Sequence, residues 1–226
     1  MNRDKLASAP SVRLPLRQRS GWMPEGLLLV ALLKRVPVLL TAVRALLAPV
    51  VASLALYAPR PRAFAVCLVV AFLSDVFDGV IARRLDVATP SLRRLDSAAD
   101  TLFYIACAFA AWRLYPTAIV AHRASLSILV GLEVLRYVID LAKFRREASY
   151  HMWSSKLWGI SLFVGFYWML VLRSTGLTLS FAVYAGIVAD LEGVLISVLL
   201  PRWQADVPSV FHAMTLRRHE LRRKKP

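Results

Sequence analysis

Apolar residues run along this chain in blocks, and the blocks are separated by short basic punctuation. After a polar start, a first block covers residues 25–33 and ends at Lys34-Arg35. A membrane-spanning helix needs about 20 apolar residues, so this run is too short to cross. Its composition predicts a helix lying in the interface. Six longer segments follow, at approximately 38–57, 63–82, 95–112, 117–141, 157–172 and 178–200. Their connections include Pro59-Arg60-Pro61-Arg62, Arg113-Leu114-Tyr115-Pro116 and Arg173-Ser174-Thr175-Gly176. Proline and glycine stop helices, and arginine resists burial in lipid. The pattern predicts an all-α polytopic membrane protein with six transmembrane helices plus an N-terminal interfacial helix. It divides the chain into a basic cytosolic arm over 1–24, a membrane domain over 25–202 and a basic cytosolic tail over 203–226.

Composition sharpens this reading. Of 226 residues, 58% are hydrophobic and only 19% charged, with a mean hydropathy of +0.56. A disordered chain is excluded, because it lacks the apolar residues to bury. The net charge of +15 would suit nucleic acid, but the basic residues flank apolar runs and do not decorate a polar surface. With both termini in the cytosol, 22 of the 29 basic residues fall inside and 5 outside, while Arg44 and Arg136 fall within spans. That asymmetry sets the orientation. The basic tail is also suited to contact anionic lipid. Cys67 and Cys107, both within apolar runs, are too few for a disulfide framework. His122, His151, His212 and His219 are scattered without metal-site spacing.

Polar residues inside spans mark function, and here they concentrate at one junction. The second span ends Ser74-Asp75-Val76-Phe77-Asp78-Gly79-Val80-Ile81-Ala82-Arg83, and the third begins Leu95-Asp96-Ser97-Ala98-Ala99-Asp100. Asp75 and Asp78, spaced i,i+3, share a helix face, as do Asp96 and Asp100 at i,i+4. An antiparallel pairing brings all four carboxylates to one level at the cytosolic surface. Two carboxylates about 5 Å apart repel by roughly 3 kcal/mol at an effective dielectric near 20, so cations or protons must offset them. All-oxygen donors favour hard ions such as Mg²⁺ or Mn²⁺, and two ions shared by four carboxylates suit phosphoryl transfer. Gly79 and Ala82 leave room for a ligand beside the acids, and Arg83 offers a cation to a phosphate. Helix caps and ion pairs with nearby arginines could account for one or two of these acids, but not for four on matching faces. A transporter would carry its acids near the bilayer midplane, whereas these lie at helix ends.

Segment 75–100 resembles the D-x2-D-G-x2-A-R-x8-G-x3-D-x3-D signature of the CDP-alcohol phosphatidyltransferase family. Asp75, Asp78, Gly79, Ala82, Arg83, Asp96 and Asp100 match in register, and Leu92 stands where the signature has its second glycine. Pro37-Val38-Leu39-Leu40-Thr41-Ala42-Val43-Arg44 is similar to the family's P-x2-L-T-x2-R start of the first helix. The resemblance implies transfer of a substituted phosphate from a CDP-linked donor, often CDP-diacylglycerol, to an acceptor hydroxyl, with release of CMP, in phospholipid synthesis. It implies two Mg²⁺ or Mn²⁺ ions held by Asp75, Asp78, Asp96 and Asp100, with Asp100 as the base. A nucleotide site of Asp78, Gly79, Ala82 and Arg83 and a homodimer are also implied.

Glu133, Arg136 and Asp140 share a face of the fourth span, followed by Lys143, Arg145, Arg146 and Lys156. In the family, basic residues here meet phosphorylated acceptors, which makes Arg136 and Lys156 acceptor-binding candidates. The alternative is an intramembrane Glu133–Arg136 pair with loop cations that only set topology. Two narrower functional readings also stand open: a phosphatidylglycerophosphate synthase, or a catalytically degenerate nucleotide- or metal-binding membrane protein. No nucleic acid is expected as a partner.

Overall fold

The computed structural model describes residues 35–85, 89–146, 150 and 152–223. The described residues form eight helices and no strand. They are α1 (Val36–Tyr57), α2 (Pro61–Arg84), α3 (Pro90–Leu114), α4 (Pro116–Ala121), α5 (Arg123–Phe144), α6 (Trp153–Leu170), α7 (Leu177–Leu199) and α8 (Val210–Arg223). The expected interfacial helix over 25–33 lies outside the described residues.

Proline opens several of these helices. α1, α2, α3 and α4 each carry it in their first turn, where its missing N–H would have had no intrahelical partner. At α3 the Thr89 side chain accepts a hydrogen bond from the Leu92 N–H at 3.2 Å, a standard N-cap. This cap starts α3 at Pro90, five residues before the apolar segment expected from 95. Asp96 therefore sits in the second turn of the helix, not at its start. The segment expected over 117–141 is also divided. At His122 the Nδ1 atom lies 2.9 Å from the Ala118 carbonyl and the Nε2 atom 2.9 Å from Ser180 Oγ. The imidazole competes for helix hydrogen bonds there, and α4 gives way to α5. The tail after 203 is helical over α8.

Two groups of helices build the core. In the first, α1 packs on α2 and α3 around Val51, Phe64, Leu68, Phe103 and Cys107. Ala48, Ala55, Ala71, Ala106 and Ala110 line the same cluster, and such small side chains let helices approach closely. In the second group α7 packs on α5 and α6. The groups join through α6 against α2 and α3, where Phe72 and Phe163 stack with centroids 4.5 Å apart. α8 caps the end of α7, where Met152, Ile196, Leu200, Val207 and Ala213 are buried together. The outward faces remain apolar: Leu46, Val66, Ile105, Val130 and Val188 are all exposed. A continuous apolar exterior around a packed bundle is what lipid requires. By length and composition α1, α2 and α7 qualify as membrane-crossing helices.

A candidate metal and nucleotide centre

The four aspartates converge as their spacing predicts. α2 and α3 both pack on α1 and bring Asp75, Asp78, Asp96 and Asp100 together at one end of that group. On α2, Ser74, Asp78 and Ala82 form the buried stripe, while Asp75 is 48% exposed in its side chain. One oxygen from each of Asp75, Asp78 and Asp96 lies within 4.8 Å of the others.

At the centre lies a residue to which sequence reading assigned no role. Arg44 projects from α1 and is 1% exposed. Its Nη1 lies 3.3 Å from Asp75 and 3.0 Å from Asp96, and it also contacts Asp100. Its Nη2 donates to Asp78 at 2.5 Å. One guanidinium thus bridges carboxylates from two helices. The sequence held a signal for this: an arginine alone in an apolar helix must face polar partners in the bundle. Which partners it meets depends on how α1 packs.

The donor set fits divalent cations. Four carboxylates carry a formal charge of −4 against +1 on Arg44, so the cluster retains a deficit of positive charge. The oxygens are hard donors. Those of Asp75, Asp78 and Asp96 are close enough for side-chain rotation to bring all three onto one ion.

The neighbours named in the sequence occupy the same end of α2. A Cβ at Gly79 would lie 3.6 Å from the Arg83 guanidinium, so the Arg83 head rests over the bare backbone at Gly79. Ala82 is buried and Arg83 exposed. Leu92 is half-buried in the first turn of α3. Its φ is not positive, so no glycine conformation is required there.

Arg136 and Lys156 stand elsewhere. Arg136 Nη2 donates to Glu133 at 2.6 Å and Nη1 to Asp190 at 3.0 Å. Asp190 is fully buried, and among the described residues its second oxygen has no hydrogen-bond partner. Gly193 makes the pairing possible, because a Cβ there would lie 2.7 Å from Arg136 Cδ. Lys156 Nζ lies 4.4 Å from the centroid of the Trp153 ring. On the α6 side, the Tyr104 hydroxyl, one turn beyond Asp100, donates to the Gly159 carbonyl at 3.5 Å. Farther along α5, Asp140 accepts from the Tyr150 hydroxyl at 3.4 Å. Burial pushes the Tyr150 phenol up to about 12, so it stays protonated at neutral pH. Lys143 Nζ donates to the Ser197 and Val198 carbonyls at 2.8 and 2.9 Å, satisfying the end of α7. Glu192 accepts from the Val210 N–H at 3.1 Å and so holds the start of α8. Arg93 Nη1 pairs with Asp206 at 3.6 Å, which puts the start of α3 and the α7–α8 connection at one end of the bundle.

A family model for CDP-alcohol phosphatidyltransferases matches residues 34–199. No curated protein and no solved structure matches the chain.

Proposed function

The chain belongs to the CDP-alcohol phosphatidyltransferase family, and from that premise we propose that it builds phospholipid by transfer from CDP-diacylglycerol to a small phosphorylated alcohol. Family membership carries the coarser statement: a membrane transferase that moves a substituted phosphate from a CDP-alcohol to an acceptor hydroxyl, in a family that uses divalent metals. The observation that supports the rest is the meeting of four aspartates from α2 and α3 around one cationic centre.

In this reading Asp75, Asp78, Asp96 and Asp100 hold two Mg²⁺ or Mn²⁺ ions. When bound, such ions neutralise charge on the pyrophosphate oxygens and on the departing CMP. The side chains do the remaining work. Asp78, Gly79, Ala82 and Arg83 line the nucleotide site: the bare backbone at Gly79 admits the ligand, and the exposed Arg83 guanidinium pairs with phosphate. Asp100 takes the proton of the acceptor hydroxyl as its oxygen attacks phosphorus. The bond from phosphorus to the CMP oxygen breaks, and CMP leaves. Arg136 and Lys156 are the groups offered to the acceptor's phosphate, which would take the place of the Glu133 carboxylate on Arg136 while Asp190 keeps hold of the other side of the fork.

The topology that suits this chemistry has α1, α2, α3, α5, α6 and α7 as six spans, with both termini and the aspartates at the cytosolic face. The 22-to-5 division of basic residues supports it. A nucleotide-headed lipid donor then reaches the site with its head in the cytosol and its tails in the bilayer. The working form is a homodimer.

The test is incubation of purified protein with CDP-diacylglycerol, Mn²⁺ and a panel of phosphorylated and free alcohols, following CMP release. Release with one phosphorylated acceptor is expected. Release with a free alcohol alone would remove the acceptor assignment, and no release with any acceptor would overturn the proposal.

A further inference from the structure

Arg44 occupies the place where a cation is needed. Its Nη1 lies among the oxygens of Asp75, Asp96 and Asp100, and its Nη2 on Asp78. Among the described residues its head is bonded to these four carboxylates alone, and its buried Nε has no acceptor. A divalent ion bound by the same oxygens at about 2.0–2.6 Å would fall within the space that the guanidinium fills. Two cations cannot share that space without strong repulsion.

We infer that Arg44 is a resident counter-ion: it holds the four aspartates together in the metal-free protein and must yield when divalent ions bind. A salt bridge from one guanidinium to two helices keeps α1, α2 and α3 assembled when the cell's free metal is low. The carboxylates then do not drive one another apart, and the protein does not depend on metal for its fold. Part of the metal's binding energy is then spent on breaking the Arg44 contacts. Removing the charge therefore tightens metal binding while loosening the metal-free bundle. The opposite role, in which Arg44 orients the aspartates for metal, makes the opposite prediction.

This inference rests on the reading of the aspartates as a divalent-ion site. The experiment is an electron paramagnetic resonance titration of Mn²⁺ into the full chain in nanodiscs, for wild type, Arg44→Gln, Arg44→Lys and Asp75→Asn, with thermal melting of each in chelator. Proteins are purified in Mn²⁺ and then stripped, so that variants weak without metal are still obtained folded. Arg44→Gln is expected to bind Mn²⁺ at least tenfold more tightly than wild type and to melt lower in chelator. Arg44→Lys, with a shorter reach and a retained charge, falls between. Unchanged or weaker Mn²⁺ binding in both Arg44 variants, with Asp75→Asn still impaired, overturns the counter-ion role and leaves the metal site standing. Absence of saturable Mn²⁺ binding in wild type overturns both.

Discussion

Replacing Asp96 by Asn should abolish transfer and yet leave the metal-free protein as stable as wild type, or more so. Asp96 gains from Arg44 at 3.0 Å, which at an effective dielectric near 20 is a gross attraction of about 5–6 kcal/mol. Against that stand Asp75 and Asp78, whose oxygens lie within 4.8 Å; each repels Asp96 by roughly 3–4 kcal/mol on the same scale. The two repulsions together exceed the one attraction even before Asp100 is counted. Asp75 and Asp96 are 48% and 32% exposed in their side chains, and solvent shrinks every one of these figures. What survives is a net relief on the order of 1 kcal/mol when the Asp96 charge is removed. For a protein of this size that corresponds to a rise of about 2–4 °C in melting temperature. The assay is thermal melting of wild type and Asp96→Asn in chelator and in Mn²⁺, alongside CMP release. In chelator the variant should melt at or slightly above wild type. In Mn²⁺ wild type should gain stability that the variant lacks. A variant that melts several degrees below wild type in chelator would refute the reasoning, because Asp96 would then be chiefly the anchor of Arg44. Full transfer by the variant would remove Asp96 from the metal set.

Three further outcomes separate the roles assigned above. Asp100→Asn should abolish turnover while CDP-donor binding stays largely in place, measured by equilibrium binding; donor binding lost in parallel would make Asp100 mainly a structural ligand. Leu92→Gly should change donor affinity little, since Leu92 sits in a regular helical turn, and should lower stability by up to about 1 kcal/mol. Donor binding gained only in that variant would support a degenerate family member. Gly193→Ala puts a methyl 2.7 Å from Arg136 Cδ, displacing the guanidinium from Asp190; the acceptor KM should rise several-fold with the donor KM unchanged, and an unmoved acceptor KM would remove Arg136 from the acceptor site.

Much of the architecture is local and therefore legible in the chain. Helix length follows from apolar run length, helix starts near Pro61 and Pro116 from the proline punctuation, and the shared faces of Asp75 with Asp78 and of Asp96 with Asp100 from helical spacing alone. Their convergence also follows, because a short connection leaves two consecutive helices few options other than an antiparallel pair. What is legible fades where hydrogen bonding competes with apolar periodicity. Thr89 and Pro90 start α3 ahead of its apolar segment, and the His122 imidazole divides a continuous apolar stretch into α4 and α5.

Contacts between distant segments were decided only by the tertiary structure. Arg44 is 52 and 56 residues from Asp96 and Asp100, and nothing in the spacing says that α1 docks against both α2 and α3. The pairing of Arg136 with Asp190 is of the same kind, separated by 54 residues and permitted by the missing side chain at Gly193. Sequence alone establishes that a charge within an apolar helix needs a partner, because an unpaired charge in lipid is prohibitive. It does not choose the partner, because that choice depends on rotation and register between helices. Packing sets these through small side chains such as Ala48, Ala71 and Gly193 summed over whole interfaces. The carboxylates and the lone arginine were therefore visible in the chain, and their pairing was visible only in the fold.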